Sequence, residues 1–296
     1  MTPTQSGTAP CNGIELYYET FGLPENPAIV LIMGLGAQSI LFSAHFIQPL
    51  VEAQYYVIRF DNRDIGLSTW MNATWRKENP YTLEDMARDT TGLLDFLTIK
   101  KAHLIGVSMG AMIAQEMTLS FPDRVMSLTS IMSSGYVLNP ATAPFKLKLV
   151  LYVLPFLLKR RHIKHKLTEP EVSVDNFVKI YSRLVGTRFP FDAVHFRHLF
   201  TEGIDIRKGQ NPKGLYQQYC AIAASGSRLK RLHNIKVPTL ILHGTADPLI
   251  PPIHSKTYAP LIPHAKLVWL EGIGHELPKG ILPQVHNEIL TLMSQQ

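Results

Sequence analysis

Ala102-His-Leu-Ile-Gly106-Val-Ser108-Met-Gly110-Ala-Met-Ile-Ala-Gln115 is the stretch from which the rest of the chain can be read. An apolar run leads into Gly106, a helix is expected over 111–119, and Gly-Val-Ser-Met-Gly lies between them. A serine hydroxyl is a poor nucleophile unless it is lifted clear of the backbone and set beside a base. A sharp turn from strand to helix does the lifting and strains the backbone at the serine. Glycine is needed at 106 and 110 because side chains there would collide with the neighbouring strand and helix. The same turn sets Ser108 at a helix N-terminus, where backbone N–H groups meet developing negative charge.

Working outward, apolar runs predict strands at 14–20, 28–33, 55–60, 102–107, 127–132, 237–243 and 265–270. Ala28-Ile-Val-Leu-Ile-Met33 is continuous rather than alternating, which suits a strand buried on both faces of a mostly parallel sheet. Helical pattern falls between the runs, as at 82–97 with Leu83, Met86, Ala87, Leu93, Leu94 and Leu97. That order is the order of an open α/β sheet flanked by helices. The alternation stops over 136–235, where helix-like pieces and Pro/Gly breaks replace strands. A structureless loop of that length does not fit a compact domain. The expected organisation is therefore a core over 1–135, an inserted helical cap over 136–235, and the rest of the core over 236–296.

A nucleophilic Ser108 needs a base and an orienting acid, expected in the order Ser, Asp/Glu, His. His243-Gly-Thr-Ala-Asp247-Pro-Leu-Ile-Pro251 places an aspartate just past a strand. Glu271-Gly-Ile-Gly-His275-Glu-Leu-Pro278 does the same with a histidine. Functional groups in open α/β sheets gather beyond the carboxyl ends of the strands, so Ser108, Asp247 and His275 can converge. Acyl transfer also requires two oxyanion donors. The N–H of Met109 and, from the loop Met33-Gly34-Leu35-Gly36, the N–H of Leu35 are the expected pair.

Bulk properties narrow the classes. The chain has 296 residues, 46% hydrophobic and 18% charged, with a net charge of +6. Seven Lys/Arg and no acidic residue lie within 146–166, so the remainder carries −1. The basicity thus belongs to one segment and has no aromatic interleaving, which argues against nucleic acid as a partner. Residues 1–13 are polar and lack the basic and apolar regions of a secretory signal. Two distant cysteines, Cys11 and Cys220, read as free thiols, so a cytoplasmic protein is expected. The apolar run 149–158, broken by Pro155, is too short to span a bilayer. Its Leu149, Val153, Phe156 and Leu157 are expected to roof an acyl pocket, with the basic residues 159–166 solvated, in preference to a lipid-interface segment. His162/His165 and His195/His198 share i, i+3 spacing, but without a completing ligand set they are expected to pack or face solvent.

The loop 33–36, Phe60-Asp-Asn-Arg-Asp-Ile-Gly-Leu-Ser68, the serine turn, Phe121-Pro-Asp-Arg-Val125, Asp247 and Gly274-His275 together resemble the α/β-hydrolase superfamily. They look most like its branch of anthracycline methylesterases and related bacterial carboxylesterases. The resemblance implies that Asp61, Arg63 and Asp64 brace the turn after a strand. Some members carry the acid one strand earlier, but Ser133-Ser-Gly-Tyr-Val-Leu-Asn139 has no carboxylate there. The chain departs from the family in having Met33-Gly34 where His-Gly is common, and it lacks a Gly-Gly-Gly oxyanion loop. A serine nucleophile disfavours epoxide hydrolase and haloalkane dehalogenase chemistry. The expected function is hydrolysis of a small-molecule carboxylic ester through an acyl-enzyme, with no cofactor and no metal. The alternatives are cofactor-free perhydrolase or haloperoxidase-like activity, thioester or lactone hydrolysis, and a ligand-binding module on the same fold.

Overall fold

The computed structural model describes residues 1–139, 170–209 and 211–294. Its sheet is built from β1 (Gln5–Cys11), β2 (Ile14–Phe21), β3 (Ala28–Ile32), β4 (Tyr56–Phe60), β5 (Ala102–Val107), β6 (Val125–Ile131), β7 (Thr239–Gly244) and β8 (Lys266–Leu270). The spatial order is β1-β2-β4-β3-β5-β6-β7-β8. β2 pairs antiparallel with both β1 and β4, and every other pairing is parallel. The loops after β3, β5, β7 and β8 therefore emerge along one edge of the sheet.

Seven of these strands fall where the apolar runs predict them. β1 is the correction, because 1–13 reads as a polar lead-in. Only Ala9 and Cys11 of that strand are buried, so its hydrophobic signal is weak. What forms it is the turn: Asn12 (φ 49°) and Gly13 (φ 77°) make a two-residue hairpin loop of the kind Asn-Gly favours.

The continuous runs are buried on both faces as expected. Along β3, Ala28, Val30 and Ile32 join one core cluster, while Ile29 and Leu31 join the other. The first cluster is closed by α2 (Leu83–Phe96) and α3 (Met109–Ser120), the second by α1 (Ala44–Glu52) and the last helix, Leu282–Met293. Thr82 caps α2 reciprocally: its Oγ1 accepts from Asp85 N at 3.2 Å and its own N–H donates to Asp85 Oδ2 at 2.7 Å. Such a cap contributes about 1 kcal/mol to helix stability.

Between β6 and β7 the described residues form α4 (Pro170–Tyr181), α5 (Ala193–Asp205) and α6 (Pro212–Ala224), followed after β7 by the short α7 (Ile253–Tyr258) and, last in the chain, α8 (Leu282–Met293). The expected apolar face at Leu149, Val153, Phe156 and Leu157, the basic residues 159–166, and His162/His165 lie outside the described residues. α4 and α5 pack through rings, with Phe177 5.2 Å from Phe200 and Tyr181 5.3 Å from Phe196. Polar groups dock this segment on the sheet. The Gln38 amide donates to the carbonyls of Gly203 and Gly209 at 3.1 and 2.8 Å. The Arg207 guanidinium reaches Glu19 and Asp61, each at 3.2 Å. All four side chains are buried, so removing one partner strands a charge or a polar group away from water.

Candidate active site

Ser108 sits on the turn between β5 and α3 with φ 56° and ψ −118°, a conformation that strains a non-glycine residue by about 1–3 kcal/mol. Both flanking glycines are dictated by space. A Cβ at Gly106 would lie 2.5 Å from Ala111 Cα, and one at Gly110 would lie 2.0 Å from the Ile32 carbonyl oxygen. The surroundings hold the strained backbone in place. Ser108 N–H donates to Ile131 O at 2.9 Å, and the Ser133 hydroxyl donates to Ser108 O at 2.7 Å.

Asp247 and His275 meet although 28 residues separate them. His275 Nδ1 donates to Asp247 Oδ2 at 2.7 Å. The other oxygen, Oδ1, accepts from the N–H groups of Leu249 and Ile250, both at 2.8 Å. With Nδ1 carrying the proton, Nε2 of a neutral imidazole is the acceptor. His243 supports the same loop from beneath. It is fully buried, its Nε2 donates to Ile250 O at 2.8 Å, and its Nδ1 accepts from the Ser255 hydroxyl at 2.6 Å. Burial pushes the His243 imidazole below its usual range, which keeps it neutral beneath Asp247. The helical segment grips the histidine loop as well: His275 N–H donates to Leu184 O and Gly274 N–H to Val185 O, at 2.6 and 3.0 Å.

Ser108 and His275 both line a cavity of about 700 Å³. Most of its wall is apolar, including Phe42, Phe46 and Met112 from the core and Phe177, Phe196 and Leu199 from α4 and α5. Leu35 and Met109 line it too. Their N–H groups have no hydrogen bond among the described residues, which leaves both available beside Ser108. Gly34 brings its loop close, since a Cβ there would lie 3.2 Å from Ser108 Cβ. Asn62 Nδ2 holds the start of the loop by donating to Met33 O at 2.9 Å.

The turn after β4 is braced through side chains. Asp61 accepts from Ser39 N and Oγ at 2.8 and 2.7 Å, and Asp64 accepts from Met71 N at 2.6 Å and the Tyr81 hydroxyl at 2.8 Å. Arg63 forms a two-pronged pair with Asp89, both contacts 2.6 Å. His198 is exposed, whereas His195 lines the cavity with its ring 5.7 Å from His45 and 5.8 Å from Phe196. Among the described residues no three His, Cys, Asp or Glu side chains are grouped to hold a metal ion. No described helix is long and apolar enough to cross a membrane.

Sequence reasoning did not single out Asn62, His243 or Glu276. The first two act through local loops, and their only signal is proximity to the motifs. Glu276 follows His275 and lines the cavity, with Oε2 buried and unpartnered among the described residues. Burial, reinforced by Asp192, pushes its carboxyl from 4.5 up to about 8. The folded chain then holds a proton that the unfolded chain has lost, so stability falls as pH rises from 4.5 to about 8. The slope is at most about 1.4 kcal/mol per pH unit, and it vanishes above the folded value. Glu276→Gln removes this loss. Its Tm is expected to gain on the wild type by several degrees between pH 5 and 8, at ~2–4 °C per kcal/mol, and to hold that lead above pH 8. Thermal melts across this range check it, and a gap that does not change with pH refutes it.

A family model described as alpha/beta hydrolase fold matches residues 27–174. The chain is 27% identical over 278 residues to rhodomycin D methylesterase of Streptomyces peucetius, covering 90% of this chain and 91% of that one. It is 27% identical over 251 residues to poly(3-hydroxyalkanoate) depolymerase of Ectopseudomonas oleovorans, covering 83% and 77%. Among solved structures, a thermophilic esterase from Thermogutta terrifontis superposes with a TM-score of 0.71 at 20% identity, covering 98% of this chain and all of that one.

Proposed function

This chain belongs to the alpha/beta hydrolase fold family, and from that premise we propose that it hydrolyses carboxylic esters with apolar acyl groups through an acyl-enzyme. The observation that carries the proposal is the Asp247–His275 pair at 2.7 Å, set with a backbone-strained Ser108 around one apolar cavity. The methylesterase relative supports the same reaction class.

In the proposed cycle His275 Nε2 takes the Ser108 proton as Oγ attacks the ester carbonyl. Negative charge then collects on the carbonyl oxygen, where the N–H groups of Leu35 and Met109 donate to it. His275 returns the proton to the leaving alcohol, and the C–O bond breaks to give the acyl-enzyme. Water enters, loses a proton to His275 as its oxygen attacks the acyl carbon, and the bond to Ser108 Oγ breaks as His275 returns that proton to Oγ, releasing the acid. Asp247 holds the imidazole tautomer throughout. In this reading α4, α5 and α6, the described α-helices within the expected cap 136–235, act as a cap over the acyl pocket and set substrate choice.

Labelling with a fluorophosphonate tests the chemistry, because only an activated serine reacts. Stoichiometric labelling on the peptide containing Ser108 is expected, and labelling elsewhere or none at all defeats the proposal. The pocket reading is tested with aryl esters of increasing acyl length. Each methylene buried can contribute up to ~0.8 kcal/mol to transition-state binding, or about fourfold in kcat/KM. kcat/KM is expected to climb with length until the cavity fills, and then to fall. A series without any length dependence would remove the apolar cavity as the acyl site. Rate is expected to saturate smoothly through the substrate's solubility limit, and a sharp rise at droplet formation would favour a lipase acting at an interface.

A further inference from the structure

We propose that Gln218 is a positioning residue for the oxyanion loop, reaching from the helical segment into the catalytic geometry. The inference rests on the ester-hydrolase reading above. Gln218 lies on α6 and is fully buried. Its Oε1 accepts from the Gly36 N–H at 2.9 Å, and its Nε2 donates to the Arg63 carbonyl at 2.8 Å. One amide thus bridges the loop after β3 and the braced turn after β4, across 182 and 155 residues of sequence.

The loop is held at two points with Leu35 between them. Asn62 fixes the Met33 carbonyl on one side, and Gln218 fixes the Gly36 N–H on the other. Gly36 has φ +70°, a conformation that only glycine adopts without strain, and the loop closes through Ala37 N–H to Gly34 O at 3.3 Å. α6 sits directly on it: a Cβ at Gly36 would lie 2.5 Å from Leu215 Cδ1. Without the Gln218 acceptor the Gly36 N–H is left unpaired in a partly buried place, and the peptide joining Leu35 and Gly36 loses the bond that fixes its orientation. A turn about the Leu35 Cα–C bond that Gly36 does not compensate shifts Leu35 against Gly36, and with it the Leu35 N–H relative to the place beside Ser108 where the oxyanion would form. The aim of an oxyanion donor matters because its value depends on where charge develops, not on ground-state contact.

Gln218 satisfies both partners because its amide presents an acceptor and a donor together. A hydrophobe of equal size fills the space and does neither. The consequence is that the helical segment is not free to vary at every position. At 218 it carries part of the geometry for turnover, beyond any role in choosing the acyl group.

The test uses the full chain with Gln218→Met and Gln218→Glu, active sites being counted by fluorophosphonate titration. For Gln218→Met, kcat per titrated site is expected to fall on the order of 10- to 100-fold, with KM within about threefold. Affinity for phenylboronic acid, which forms a tetrahedral adduct on an active serine, is expected to fall in parallel with kcat. A residue that only filled space would lower Tm or soluble yield and leave both values per site unchanged. Gln218→Glu supplies the second arm. When protonated it accepts from Gly36 and donates to Arg63 as the amide does, so its kcat relative to wild type should rise as pH falls. The proposal is overturned if Gln218→Met keeps wild-type kcat per titrated site, if only KM moves, or if Gln218→Glu shows no recovery toward low pH. A wild type that is neither labelled nor hydrolytic defeats the ester-hydrolase reading instead, so the two failures are separable.

Discussion

Replacing Ser108 with alanine is expected to lower kcat by on the order of 10⁴ to 10⁶ and to leave the fold in place. The change deletes one oxygen. The two hydrogen bonds that hold the turn use the backbone N–H and carbonyl of residue 108, so alanine retains both. Alanine at φ 56° is strained much as serine is, so the backbone conformation carries no new cost. Tm and circular dichroism should therefore match wild type within error. What remains is catalysis by the oxyanion donors and by binding, typically 10³- to 10⁴-fold over water. A correctly folded variant that loses less than about tenfold would mean that another group attacks the ester, against the losses a triad nucleophile incurs. Fluorophosphonate labelling is expected to disappear in the same variant.

How much of this was legible in the sequence depends on how local each signal is. Ser108 is fixed by five consecutive residues whose glycines are forced by contacts at 2.5 and 2.0 Å, so the turn can be read without knowing the fold. β3 announces itself because burial on both faces leaves no room for polar residues. β1 does not, because it is an edge strand with two buried side chains and its pairing is set by a turn rather than by hydrophobicity. The contacts that aim the site are less legible still. Gln218 is one polar residue in Leu215-Tyr-Gln-Gln-Tyr219, and nothing in that stretch says which glutamine faces the loop after β3. Only tertiary packing decides it, by burying Gln218 against Gly36 and Arg63. The same holds for Leu184 O, which receives the His275 N–H through its carbonyl and leaves no mark on residue type.

His275→Ala is expected to cost about as much as Ser108→Ala, and the double variant little more than either, because a nucleophile and its base act as one unit. Asp247→Asn should cost on the order of 10⁴ in kcat, and the hydrogen bonds of Asp247 give the reason. Oδ1 takes two backbone N–H donors, from Leu249 and Ile250, at 2.8 Å each. An asparagine must keep its oxygen on that side, since turning its NH₂ toward two donors would leave all of them unsatisfied. The amide NH₂ then faces His275 Nδ1, where Oδ2 now accepts at 2.7 Å. Nδ1 must become an acceptor, which forces the ring proton onto Nε2. A histidine in that tautomer offers Ser108 a donor instead of a base, and the imidazolium formed during attack loses its carboxylate partner. KM should change little, because neither group reaches for the acyl chain. Steady-state kinetics on the three single variants and the Ser108/His275 double variant check the argument. If the two single losses multiply in the double variant, Ser108 and His275 work independently. If Asp247→Asn retains full activity, the orienting acid lies elsewhere.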